Sequence, residues 1–557
     1  MNKKIFYILA LAALVLSGCG FLDQEPDNRT AITKPEQVKK LLASAYSDAD
    51  FAWICEFSSD NIVDNNSEDG TWRRYNLGVG KGECENEAFA WKPTVSSGSN
   101  DGDSPVRIWS GAYKAIAVAN HALEAMDQIE AKDSTVDFSE MRSEAYLCRA
   151  YNHFVLANVF CMPYRDSALS TLDLGVPYMR VPERVVYSNA DRGTLTELYA
   201  NIENDLLEGL KHVTDNYDQP KYHFNKQAAY AFATRFYLYK RDYDKVIEYA
   251  TMALGSNPMS CMRTEYWSKS YSTSETLLFA YSNTNSPNNF LLTATYSTFY
   301  RSLNGRYACN RQASLGSIYG QGPTWQNYTF HPCYQKIQGL YLRGSQDYGL
   351  FYVHTGEYFE YTDKVAGIGY VHNVNPTFTG EETLLCRAEA YIMKKDYVNA
   401  LADLKVWDDS RKVGTTEVMP DLTQALIESF YTRDIAKNGT RVYRIPADLH
   451  CSDLCPDWQI DTRQKVWLYC VLHFRRLETI HQGLRWFDIK RFGIEIRHKQ
   501  GLDPEQILTW DDHRRAIEIP STVIEAGMQP NLRSNLVKND AVLFTGSCTD
   551  KPSDEVE

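Results

Sequence analysis

Two stretches of the chain carry side chains suited to gripping a ligand. The first holds Trp72, Arg73, Tyr75 and Trp91, followed by Asn100 and Asp101. The second holds Tyr296, Arg301, Trp325, Asn327 and Tyr328. Flat rings cover C–H surfaces, while amides, carboxylates and guanidinium groups fix hydroxyls by hydrogen bonds, which is the chemistry sugar recognition needs. Both stretches lack helical periodicity and read as loops that a scaffold must position. A third cluster, Asp64-Asn-Asn-Ser-Glu-Asp-Gly70, resembles a calcium loop. Its glycine comes one position late, and Tyr75 stands where a bidentate acid belongs, so the expectation is no cofactor, with Ca2+ as the one possible ion. His450, Cys451 and Cys455 lack a second pair at zinc spacing, and no metal is assigned.

Catalytic signatures are missing from the chain. There is no nucleophile elbow, His-Glu-x-x-His, phosphate loop or dinucleotide fingerprint. A glycosidase pair could still meet in space from the many carboxylates, but nothing favours it. The formal charge of −13 argues against nucleic acid as a partner. Twelve cysteines besides Cys19 permit disulfides, yet Cys148 and Cys386 fall inside helical patterns and read as small buried hydrophobes.

The elements that hold the loops are helical. Ile108–Met126, Met141–Phe160 and Leu195–Leu210 repeat apolar positions every three or four residues. Thr234–Tyr243 and Ala388–Tyr397 resemble each other 154 residues apart, each with a basic pair and Asp-Tyr between two helical stretches. That is the helix–turn–helix unit of tetratricopeptide-type repeats, which stack because neither hairpin alone buries its apolar face. Between them, Ser256 to Thr379 is rich in Gly, Asn, Ser and Thr, with fifteen tyrosines from Cys261 to Tyr370. This segment reads as an insertion with short strands or hairpins around Asn304-Gly305 and Thr355-Gly356. Phe474–Gly493 reads as one amphipathic helix whose arginines and Asp488 pair among themselves or with neighbours. The fold class is all-α dominated, with tetratricopeptide-like hairpins as scaffold and a large loop and short-strand insertion.

The N-terminus reads as an export signal. Lys3 and Lys4 precede twelve apolar residues, Ile5–Leu16, which lead into Leu16-Ser-Gly-Cys19. A helix of that length rises about 18 Å against a hydrocarbon core of roughly 30 Å, so it does not span a bilayer. Residues 1–18 are then a lipoprotein signal peptide, Cys19 carries the lipid, 19–35 is a tether and 36–557 a single helical domain. Repeat-like hairpins lie near 226–254 and 381–407, and the ligand-loop insertion at about 256–379.

Five places resemble the SusD/RagB family of Bacteroidetes surface lipoproteins. They are Cys19 with Phe21-Leu22-Asp23 and Pro26; Arg149-Ala-Tyr-Asn-His-Phe154 running on to Pro163; the paired repeats; Leu385-Cys-Arg-Ala-Glu-Ala-Tyr391; and Phe474-Arg-Arg-Leu-Glu with Gly483-Leu-Arg-Trp-Phe-Asp-Ile-Lys-Arg-Phe-Gly493. Gln482, Cys161-Met162 and Leu404–Ser410 depart from the family pattern. The resemblance implies a non-enzymatic lipoprotein of the cell outer membrane, surface-exposed and held there by its lipid. It implies capture of a glycan, oligosaccharide or peptide in the two loop regions and delivery to a SusC-like TonB-dependent barrel. The alternatives are a tetratricopeptide-type scaffold that binds proteins, and a surface glycan hydrolase.

Overall fold

The computed structural model describes residues 32–68, 75–96, 101–184, 191–302, 305–310, 313, 318–327, 331–334, 356–432 and 448–533. The chain opens with α1 (Pro35–Leu42), α2 (Ala52–Ser58) and α3 (Glu83–Phe89). The last two fall in a stretch, residues 53–105, that reads as loop from its sequence. They are single turns or little more, too short for a 3.6-residue period to show, and α2 is buried on every side.

Longer helices follow. In α4 (Pro105–Glu130) the Ser104 hydroxyl accepts from the Arg107 N–H at 3.1 Å, and Pro105 occupies the first helical position. Its apolar stripe of Ile108, Ala112, Ile116, Ala119 and Leu123 packs on α5 (Ser139–Phe160). On the other side of α5 lies α6 (Leu195–Gly209). The Arg149 guanidinium of α5 holds Asp205 of α6 through two bonds of 2.6 and 2.8 Å.

The repeated motif makes two helical hairpins. One joins α7 (Lys226–Lys240) to α8 (Tyr243–Leu254). The other joins α9 (Gly380–Met393) to α10 (Tyr397–Lys412), and α9 packs on α8, α7 and α11 (Thr462–Glu478). Their turns share one chemistry. Arg241 and Lys395 take the left-handed conformation with φ of 65° and 61°. The next N–H then reaches back across the helix end, Asp242 to Tyr237 and Asp396 to Tyr391. Asp242 and Asp396 cap the second helices through Lys245 N–H and Asn399 N–H. Asp396→Ala is therefore expected to lower stability by about 1 kcal/mol, read as a shifted urea midpoint.

The insertion contributes an antiparallel sheet of β1 (Asn289–Thr295), β2 (Glu357–Asp363) and β3 (Ile368–Thr379), in the order β1-β3-β2. Thr293 pairs with Asn375, Thr295 with Asn373, and Glu357 with Asn373 from the other side. Strand β1 buries Phe290, Leu291 and Leu292, whereas the β2–β3 hairpin stands out with Phe359, Tyr361 and Ile368 exposed. Its tip is residues 364–367, with Gly367 at φ 67°. The tip lies beyond Thr355-Gly356, where the sequence places a turn; residues 304 and 355 lie outside the described residues. Thr379 ends β3 and caps α9 through the Glu382 N–H at 3.2 Å, so strand and helix share one residue.

One sequence expectation changes shape. Phe474–Gly493 is two helices, α11 and α12 (Leu484–Arg491), with a sharp turn between. His481 and Gly483 have φ of 63° and 76°. Gly483 approaches the backbone of α2 so closely that a Cβ would sit 3.0 Å from Ala52 Cα. Its N–H donates to buried Glu56 at 3.0 Å. The arginines pair as the pattern implies: Arg475 and Arg491 with Asp488, Arg485 with Asp60, Arg491 also with Glu389. All eleven cysteines among the described residues are buried, and none is joined to another of them by a disulfide. No helix among the described residues is long and apolar enough to cross a membrane.

Burial also sets a pH dependence. It raises Glu56 from 4.5 to about 7 and Asp50 from 3.8 to about 6. Both carboxyls bind protons more tightly folded than unfolded, so stability rises as pH falls from about 7 towards 5. Asp488 and Glu382 go the other way. Their burial is outweighed by arginines that hold their pKa values low, so their contribution is lost at lower pH. Buried His153, His331 and His473, held down at about 3, oppose the two carboxyls as pH falls below 6.5. The Glu56 contribution is isolated by urea denaturation of wild type and Glu56→Gln, whose stability difference should shift in favour of the wild type by about 2 kcal/mol from pH 7.5 to pH 5.

Candidate functional site

Three segments meet on one surface: residues 101–104 ahead of α4, residues 296–302 after β1, and the β2–β3 hairpin. The joint is Asp103. Its carboxylate accepts from Ser297 Oγ at 2.5 Å and from the Thr298 N–H at 3.0 Å. Lys81 closes the other side, bonded to Asp103 and, at 3.1 Å, to Asp101. Burial opposes the charge on Lys81, but the two carboxylates outweigh it and raise its pKa. Gly102 allows the approach, since a Cβ there would fall 1.5 Å from the Tyr296 carbonyl oxygen.

On this frame the Tyr296 ring is held at three points. Its N–H donates to Asp48 O at 2.8 Å. Its ring meets Tyr370 of β3 edge-on at 5.0 Å. The Arg107 guanidinium lies 5.7 Å from the ring centroid. Burial and a hydrogen bond with Tyr370 push the Tyr296 hydroxyl up to about 12, so it stays protonated and can donate. Arg107 is fixed in turn by Asp48 Oδ2 at 2.8 Å. The second Asp48 oxygen, Oδ1, is buried without a hydrogen-bond partner among the described residues. Asp48 also lines a neighbouring cleft of about 330 Å³ with Ser44, Tyr46, Lys114, Tyr222 and Thr293.

The structure thus gathers Asp101, Tyr296 and Arg301, from both sequence stretches, around one joint. Arg301 is occupied by Glu357 of β2 through bonds of 2.8 to 3.0 Å. Tyr75 is half-buried beside Asn65. Trp91 and Trp325 are core residues here. Trp91 donates to Ser58 O at 2.8 Å and stacks on His498, and Trp325 donates to Gly320 O at 2.7 Å against Phe474. Neither presents a free ring face, because each fills space that its own segment cannot otherwise close. Asn327 is exposed on that second segment, which is anchored to α10 by Thr324 and Asp408. Cys19, Trp72, Arg73, Asn100 and Tyr328 lie outside the described residues.

Asp48, Arg107 and Tyr370 are absent from the sequence expectation. Asp48 and Arg107 sit at the edges of helical stretches, and Tyr370 is one tyrosine among many, so only the docking of the three segments singles them out. Of the cluster Asp64–Gly70, residues 69 and 70 lie outside the described residues. Asp64 accepts from Arg306 at 2.8 Å and from the Gly501 N–H at 2.8 Å, so its carboxylate is committed to holding segments together.

Comparison with known proteins gives a consistent outcome. A family model described as SusD-like, starch-binding associating with outer membrane, matches residues 20–238. Among solved structures, a SusD superfamily protein from Bacteroides fragilis is 16% identical, with a TM-score of 0.53 over 89% of this chain and 99% of that one. A putative sugar-binding protein from Bacteroides vulgatus ATCC 8482 is 16% identical, with a TM-score of 0.54 over 90% of this chain and 99% of that one. A laminarin-binding SusD-like protein is 16% identical, with a TM-score of 0.50 over 90% of this chain and 99% of that one. At such identities the structural matches speak for the fold. No curated protein matches the sequence. Residues 20–238 thus match the SusD-like family model, and the chain shares its fold with solved SusD superfamily structures over about nine-tenths of its length.

Proposed function

We propose that this protein is a lipid-anchored glycan-binding protein of the outer membrane that captures its ligand without turning it over and hands it to a TonB-dependent barrel. The observation that carries the reading is the docking of three segments through Asp103, which sets Tyr296, Tyr370, Arg107 and Asp48 on one surface. A sugar ring lies with its C–H face on Tyr296. One of its hydroxyls donates to the Asp48 carboxylate, whose side chain is 25% exposed. Another accepts from Arg107. Because these side chains are already held by one another, little ordering entropy opposes binding. The family description and the names of the sugar-binding and laminarin-binding structures support a glycan over other ligands. Asp101 and Asp103 share Lys81 and serve the joint, not an acid–base pair.

Cys19, as the first residue of the mature chain, carries the lipid, and residues 36–557 form one body tethered by it. Native gels cast with starch, laminarin or other glycans test the reading. Retardation of the mature protein by at least one glycan, without release of shorter saccharides, is the expected result. Released saccharides would point to the hydrolase alternative. Solubilisation in detergent should bring down a barrel protein with the wild type, and Cys19→Ala should leave the protein unlipidated by mass.

A further inference from the structure

A second, inner recess lies under the three-stranded sheet, away from the Tyr296 ring. Its volume is about 80 Å³, and it is lined by residues 46–52, α4, α5, strands β1 and β3, Phe299, Arg235 of α7 and the turn at His481–Leu484. That is room for a ligand of a few heavy atoms, since one water needs on the order of 10–15 Å³ by the same measure. The wall is mostly carbon, with Tyr46, Phe51, Tyr151 and Phe299 among its rings.

Into this space the fold brings one carboxylate. Asp50 is 8% exposed, and its oxygens accept from the Ala52 N–H at 2.8 Å and Asn375 Nδ2 at 2.6 Å. Both donors are neutral. The charged groups packed around it are claimed elsewhere. Arg235 holds Glu382 at 3.2 Å and the Thr377 carbonyl at 2.8 Å. Lys81 holds Asp101 and Asp103, and His481 approaches Glu56 at 4.0 Å. Asp50 is therefore a buried carboxylate with hydrogen bonds but, among the described residues, no cation of its own, since Lys81 acts on it only while bonded to Asp101 and Asp103, an arrangement that proteins otherwise avoid. Burial and the nearby Asp103 raise it to about 6, which leaves it mostly ionised at pH 7.5.

We propose that this recess binds a small organic ammonium ion, with Asp50 as its counter-charge and the surrounding rings as its walls. An ammonium group supplies donors to the carboxylate lone pairs that Ala52 and Asn375 leave over. Its carbon substituents meet aromatic rings, which attract cations as well as covering them. A neutral polyol would leave the carboxylate uncompensated. Calcium would want roughly six to eight oxygens, whereas this wall offers a single carboxylate. Tyr296, Tyr370, Arg107 and Asp48 are not part of this wall, so binding of an ammonium ion and of a glycan are measured separately and the two readings fail separately.

Calorimetry on the mature protein at pH 7.5 compares ethanolammonium chloride with ethylene glycol, molecules of equal heavy-atom count that differ by one charge. Potassium chloride serves as the control for a simple cation. Ethanolammonium is expected to bind, and the diol and potassium are not. Its affinity should fall about tenfold at pH 5, as Asp50 takes up a proton. Asp50→Asn should weaken binding at least about tenfold and abolish that pH dependence, which separates Asp50 from the titration of Glu56. Ala112→Leu, which fills the recess from α4, should also remove binding. Equal binding of the diol or of potassium, no heat from ethanolammonium, or affinity unchanged in folded Asp50→Asn would each overturn the proposal. Should Asp50→Asn not fold, the pH comparison on the wild type and Ala112→Leu decide the matter.

Discussion

Replacing Asp488 with alanine is expected to lower the folding free energy by about 3–5 kcal/mol. Asp488 is 1% exposed and accepts from Arg475 at 3.1 and 3.3 Å and from Arg491 at 2.9 Å. It joins α11 to α12, and through Arg491 and Glu389 it reaches α9. Removing the carboxylate leaves two buried guanidinium groups facing each other. Arg491 keeps Glu389, and Arg475 keeps Glu382 at 3.7 Å, so their desolvation is only partly offset, and their mutual repulsion adds to the cost. An exposed pair sets the scale by contrast. Glu505, partner of Arg497 at 2.7 Å on the short strand pair near the C-terminus, should cost at most about 0.5 kcal/mol when changed to alanine. Urea midpoints for both variants measure the difference. A loss under about 1 kcal/mol for Asp488→Ala would mean that the arginines find other partners or water.

Gly102→Ala is expected to abolish ligand capture while the helical body stays folded. The added methyl would lie 1.5 Å from the carbonyl oxygen and 2.6 Å from the carbonyl carbon of Tyr296. Both are backbone atoms, so no rotamer change relieves the clash and the two segments must part. Parting breaks the bonds from Ser297 and Thr298 to Asp103 and frees the Tyr296 ring from Arg107. The stability loss should be about 1–3 kcal/mol, that of local overpacking. The affinity loss should be larger, because every proposed contact on the surface depends on the joint. Far-UV circular dichroism and calorimetry on the same preparation separate the two effects. Full affinity in a folded Gly102→Ala protein would detach the site from the joint.

How much of this is legible before folding depends on the range of the signal. The helical hairpins are local. Their turns need a basic residue able to take a left-handed conformation and an aspartate cap, and both copies spell that out as Arg241-Asp242 and Lys395-Asp396. The long helices announce themselves by period. Short α2 and α3 do not, and the break at His481–Gly483 depends on Glu56 and Ala52, some four hundred residues earlier. The site follows the same rule. Composition singles out the segments that carry Asp101, Tyr296 and Arg301, which the fold brings to one joint, because ring-rich polar loops are unusual in a helical scaffold. It cannot tell a ring that faces outward from one that closes its own loop, so Trp91 and Trp325 look alike with Tyr296 until their indole N–H groups are seen bonded to Ser58 and Gly320. Asp48 and Arg107 are ordinary residues by type, and only their meeting with Tyr296 gives them a role.

The measurement that bears most directly on the account is the affinity of Tyr296→Ala for an oligosaccharide of whichever glycan retards the wild type. Loss of a ring that forms the floor of a binding surface costs about 2 kcal/mol or more, so calorimetry should show an affinity lower by at least about thirtyfold with an unchanged unfolding midpoint. Unchanged affinity in a folded Tyr296→Ala protein would contradict the account and place glycan capture elsewhere on the molecule.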